Sequence, residues 1–379
     1  TVHCSRHAKR LKTGNSIPQS KIHRMSKARY PLFFLALLGL IAGLWAGLLR
    51  MGWAWPSLRP FLPALHGPLM ISGFLGTLIC LERAVAARER WPYLLPLLSG
   101  LGSFLLVFGL GGRTGIALIS LAAAGLVLLF ATHLRIHPAL HTAIMMLGAF
   151  LWLIGNLLWL AGRPIHLAVW WWAGFLILTI AGERLELSRV LRLADRVKWL
   201  FLAATAVFLG GLLLTLFNYD WGVRLSGAGM ILLAAWLLRY DLARHNIRKP
   251  GLTGYIAACL FSGYIWLGVG GILALWFGAV SAGPIYDAIL HAIFLGFVFG
   301  MIFGHAPIIF PAVLGRPLPY QPSFYLHLIL LQITLVLRIA GDLGGWPLLR
   351  QWGGLLNSLV LLLFLANMIL SLVQGSRPD

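Results

Sequence analysis

PIYDAILHAIFLGFVFGMIFGHAPIIFP, residues 284–311, is apolar and long enough to cross a bilayer, yet it carries Asp287, His291 and His305. Ionisable side chains inside a span are rare and mark sites of function. On an unbroken α-helix turning about 100° per residue, Asp287 and His305 project within about 40° of His291. Gly296, Gly300 and Gly304 recur every fourth residue on the opposite side, which lets a neighbouring helix pack closely there. One face is therefore expected to pack and the other to hold a polar or metal-bearing guest.

Working outward, the whole chain has the same character. Its 379 residues are 60% hydrophobic and 11% charged, with mean hydropathy +0.87. A soluble domain needs about 25% charged residues, so an all-α, polytopic membrane protein is expected. Windows of about 20 residues give twelve spans, near 31–49, 63–82, 93–111, 114–132, 140–161, 166–182, 198–217, 221–238, 252–277, 285–305, 323–341 and 353–373. They form one domain over residues 29–379. Residues 1–28, basic and without an apolar run, read as a disordered cytoplasmic tail with no cleavable leader.

The net charge of +20 suggests nucleic acid until the basic residues are placed. With the N-terminus inside, only Arg50, Arg59, Arg113, Arg163, Arg224, Arg338 and Arg350 of the 30 lysines and arginines fall outside. That asymmetry is a topology signal, with both termini cytoplasmic and the lipid bilayer as the basic residues' partner rather than nucleic acid. Cys4, Cys80 and Cys259 are too scattered for a disulfide framework or thiolate cluster.

Span two opens with PALHGPLM, which sets His66 about one turn inside its outer end with Met70 on the same face. Between spans four and five, His133, His137 and His141 have the spacing of a metal face, but Pro138 is expected to break the helix there. Span six starts with His166 and the run Trp170–Trp172. It ends with Glu183, Arg184, Glu186 and Arg189, expected to pair along one charged cytoplasmic face. After span ten, Pro307, Pro311, Pro317, Pro319 and Pro322 are expected to forbid a long helix.

Depth selects which histidines can meet. His66 lies about five residues into span two and His291 about six into span ten, both from the outer side, so at about 1.5 Å per residue they share a level. His305 lies about 21 Å deeper, near the level of His141 and His327. Two imidazoles at one depth on separate helices can ligate one iron axially and hold a haem between the spans. Asp287 is positioned to accept the other ring N–H of His291, and Arg338 and Arg350 to pair with the haem's propionates. The inner trio His141, His305 and His327 is the candidate for a metal such as copper.

Twelve spans, an H-G-x-x-M stretch at His66, Gly67 and Met70, and a histidine near the outer end of span ten resemble haem–copper oxidase subunit I. In that family these two helices supply the ligands of the low-spin haem, so the resemblance implies a subunit I-like bundle. The family's second span-ten histidine is replaced here by Ala292 and Ile293, and its copper ligands on spans six and seven are missing apart from His166. The stretch Gly304, His305, Ala306 and Pro307, followed by Gly315, Arg316, Pro317 and Leu318, resembles the NnrS-type haem- and copper-containing membrane proteins of denitrification and nitric oxide stress.

The expectation is a b-type haem protein of a bacterial inner membrane, in electron transport or nitric oxide handling, with an oxidoreductase role. A cytochrome or other respiratory subunit would be its partner, or nitric oxide its ligand. Two other classes carry different signatures. A secondary transporter would show broken helices at matching positions of two repeats and a midplane charge. A structural or assembly subunit would co-purify with cytochrome subunits and be unstable alone.

Overall fold

The computed structural model describes residues 19–87 and 89–375, with side chains from residue 29 onward. Twelve helices are long and apolar enough to span a membrane. They are α1 (Gln19–Arg50), α2 (Leu62–Ala87), α3 (Trp91–Phe108), α4 (Thr114–Ile136), α5 (Leu140–Leu160) and α6 (Ile165–Leu191). The second half comprises α7 (Asp195–Leu214), α8 (Tyr219–Tyr240), α9 (Gly251–Phe277), α10 (Pro284–Leu314), α11 (Phe324–Gly344) and α12 (Pro347–Gln374). No strand occurs among the described residues, and the protein is an all-α polytopic bundle.

Local chemistry sets the ends. Proline opens α10 and α12 in the first turn, where a missing N–H costs little. Gly109, Gly315 and Gly345 close α3, α10 and α11 at φ +67°, a conformation glycine takes without strain. Pro138 does break the chain: α4 stops at Ile136 and α5 starts at Leu140, so His133, His137 and His141 lie on no common helix.

α2, α6 and α10 form the centre, with 67, 83 and 72% of their best windows buried against at most 56% elsewhere. Trp170, Trp171 and Trp172 are all buried within it. One apolar cluster runs through all twelve helices. Exposed Phe217, Trp221, Trp276 and Trp346 ring one end and Trp199 marks the other, as side chains at a membrane interface do.

Three expectations need correction. α1 begins at Gln19, inside the stretch expected as a tail, and residues 1–18 lie outside the described part. α10 runs through Pro307 and Pro311 to Leu314. Pro307 has no N–H for the carbonyl of Phe303, and the hydroxyl of Tyr255 on α9 donates to that oxygen instead, at 3.2 Å. Last, Glu183, Arg184 and Glu186 pair across helices and not along their own. Arg184 grips Asp241 through two hydrogen bonds of 2.9 and 3.0 Å, Arg83 of α2 holds Glu183, and Glu186 lies 3.6 Å from His141.

The two histidine-bearing central helices share an irregularity. Leu69–Gly76 in α2 and Ala292–Phe299 in α10 are π-helical, with hydrogen bonds reaching one residue further than in an α-helix. The Ser72 carbonyl in the first segment receives the Ser99 hydroxyl of α3 at 2.9 Å, and Trp152 donates to the Ser72 hydroxyl at 3.0 Å. The two segments meet through the stacked rings of Phe74 and Phe299, 5.9 Å apart.

Candidate cofactor site

His66 sits three residues before the first π segment and His291 immediately before the second. Their ring centres are 6.2 Å apart and their planes differ by 17°. His66 Nδ1 bonds the Gly43 carbonyl of α1 at 2.7 Å, and His291 Nδ1 bonds the Asp287 carbonyl at 2.7 Å. A carbonyl oxygen only accepts, so Nδ1 carries the proton in each neutral ring and Nε2 keeps its lone pair. An ion bonded to one nitrogen of each ring at about 2.0–2.1 Å sets the ring centres about 6.4 Å apart. The observed spacing fits that arrangement, with the two planes nearly aligned.

Both rings line one cavity enclosed by α1, α2, α6, α10, α11 and α12. Its walls are apolar, including Leu44, Met70, Ile71, Val169, Phe294 and Phe299. Its volume is about 110 Å³. With the rings only 6.2 Å apart, that describes a thin slot. Its polar lining includes the two histidines, Asp287 and, at one end, the cations Arg50 and Arg338.

α1 holds His66 in place. Gly39, Gly43 and Gly47 form one face at four-residue spacing, against the Gly73 backbone, the Met70 side chain and the His66 ring respectively. A Cβ on Gly47 would lie 2.7 Å from His66 Nδ1, and one on Gly43 would lie 2.7 Å from the Met70 sulfur. These glycines were legible as a G-x-x-x-G-x-x-x-G stretch, but span one otherwise reads as featureless. On α10, Gly296 faces Trp266, while Gly300 and Gly304 face Gly263 and Cys259, so that glycine face packs on α9.

The mouth of the cavity carries five charges. Asp287 accepts from Arg350 Nη2 at 2.5 Å and lies 3.8 Å from both Arg338 and Arg50. Asp342 lies 2.7 Å from Arg350 Nε and 3.6 Å from Arg338 Nε. The Asp287 carboxylate is thus turned to arginines; its backbone carbonyl, not its side chain, holds His291. Arg350 is engaged by both carboxylates and does not line the cavity, whereas Arg338 and Arg50 do. Arg50 and Asn357 were not singled out from sequence; Arg50 looks like an ordinary residue at a helix end.

The inner trio does not assemble. No cluster of three metal-ligating side chains exists among the described residues, and each of the three histidines has its own partner. His141 faces Glu186, and His305 Nδ1 bonds the Met301 carbonyl at 2.7 Å. His327 is fully buried, 2.8 Å from the Tyr255 hydroxyl and 3.1 Å from Asn367. It supports the tyrosine that serves the Phe303 carbonyl left without its helical partner by Pro307. The alignment of His305 with His291 also fails. A π turn adds about one residue, or about 100° of rotation, between them, and His305 does not line the cavity.

These features define a multi-pass α-helical membrane protein with a pair of imidazoles opening on one buried slot. The chain belongs to the family described as Domain of unknown function (DUF8744), whose profile matches residues 29–373. No curated protein matches it.

Proposed function

We propose that this protein is a membrane-embedded b-type haem protein with His66 and His291 as the axial ligands. The observation that carries the reading is the ring pair: centres 6.2 Å apart, planes within 17°, and each Nδ1 committed to a carbonyl. Bound there, haem would supply a one-electron couple. The chain's own residues set the conditions. Gly43 and Asp287 orient the imidazoles through carbonyls, the apolar walls exclude water, and Arg338 and Arg50 offer positive charge at the mouth. Arg350 acts through Asp287 and Asp342.

The likeness of the His66 and Gly304–Leu318 stretches to haem–copper oxidase subunit I and NnrS-type proteins supports a place in respiratory or nitrogen-oxide metabolism. A respiratory cytochrome is then the expected partner; nitric oxide would reach the iron only by displacing one of the two imidazoles. The charge asymmetry supports a bacterial cytoplasmic membrane with both termini inside, which turns the cavity mouth outward. Copper has weaker support, because His141, His305 and His327 are separately engaged.

The test is a reduced-minus-oxidised spectrum of protein purified from haem-replete cells. Soret and alpha bands are expected, and both His66→Ala and His291→Ala should abolish them. Absence of the bands, or their survival in both variants, overturns the reading.

A further inference from the structure

Two donors in the cavity lack acceptors. Arg338 is 5% exposed and lines the cavity, yet it makes no hydrogen bond among the described residues. Its nearest carboxylate oxygens stand 3.6 and 3.8 Å away, beyond a direct bond. Asn357 is 3% exposed and lines the same cavity. Its Oδ1 takes the Thr334 hydroxyl at 2.7 Å, and its Nδ2 has no partner.

The two are neighbours. Arg338 Nη1 lies over Gly354, where an added Cβ would come within 2.6 Å of it, and Gly354 and Asn357 share a face of α12 three residues apart. A buried donor without an acceptor is costly, and a guanidinium more so. Native structures rarely leave such groups unmatched without a ligand or water.

We infer that Arg338 Nη1 and Asn357 Nδ2 form a subsite for a carboxylate that enters the cavity. Both groups only donate, and a carboxylate only accepts, so hydroxyls and amides match the pair less well. The three arginines and two aspartates at the mouth leave one positive charge unbalanced, which also favours an anion. The carboxylate belongs either to the cofactor itself, which rests on the haem reading, or to a free small acid, which does not.

The experiment separates these sources and uses the full chain in detergent. Apoprotein is titrated with haem and with haem dimethyl ester, whose carboxylates are blocked, and separately its thermal unfolding is followed with and without formate. Wild type is expected to bind haem about tenfold or more tightly than the ester. In Asn357→Leu the ratio should collapse toward one, and Asn357→Asp, which adds a like charge, should reverse it. Equal binding of haem and ester by wild type, with no formate effect, overturns the subsite and leaves the histidine reading intact. If neither haem form binds, the histidine reading fails. In that case a formate-dependent rise in Tm in wild type but not in Asn357→Leu supports the subsite, and no rise overturns it.

Discussion

Gly47→Ala tests how tightly α1 positions His66. The new Cβ would stand 2.7 Å from His66 Nδ1 and 2.8 Å from Cε1. Ordinary contact begins near 3.4 Å, so ring and methyl must part by about 0.7 Å. That displacement stretches the 2.7 Å bond to Gly43 past 3 Å and turns the ring relative to His291. Overpacking costs about 1–3 kcal/mol and the weakened hydrogen bond about 0.5–1.5 kcal/mol more. A total of about 1.5–4.5 kcal/mol corresponds to roughly 10- to 1,600-fold weaker binding of a ligand held by both rings. The assay is haem titration of apoprotein followed by the Soret band, with Gly268→Ala as control because its added Cβ meets Ala234 at an ordinary 3.6 Å. Wild-type affinity and spectrum in Gly47→Ala would refute the claim that α1 sets the imidazole.

Asp287→Asn removes one of the two negative charges among three arginines and should destabilise the fold by about 1–3 kcal/mol in thermal unfolding, since Arg350 keeps Asp342. The same change should raise the midpoint potential of bound haem, because a carboxylate two turns or less from the iron's ligand favours the oxidised form. Tyr255→Phe should cost about 1–3 kcal/mol by leaving the Phe303 carbonyl unmatched, and adding Pro307→Ala, whose N–H can serve that carbonyl, should recover much of the loss. His305→Ala should leave the haem spectrum and metal content unchanged, since His305 bonds its own helix and does not line the cavity; loss of the spectrum would return it to the site.

Hydropathy alone located all twelve helices, because a bilayer demands long apolar runs and tolerates few exceptions. Counting rise along spans two and ten is also enough to bring His66 and His291 to one level, and topology puts Arg338 on the same outer side. What failed was angular. A straight helix across Ala292–Phe299 misplaces His305, because a π turn is set by packing between helices. Pro307 and Pro311 looked like terminators because proline's missing hydrogen bond is a local fact, whereas the hydroxyl that compensates arrives from Tyr255, 52 residues earlier in sequence. Arg350 and Arg338 read alike on paper, and only the placement of Asp287 and Asp342 separates the engaged arginine from the unmatched one.

The extra residue in Ala292–Phe299 divides α10 into two halves with independent rotational settings. The first half aims an imidazole into the slot, and the second lays Gly300 and Gly304 along α9. Removing one residue from that segment would therefore behave like a dislocated screw thread, keeping His291 seated while every contact beyond it swings out of register.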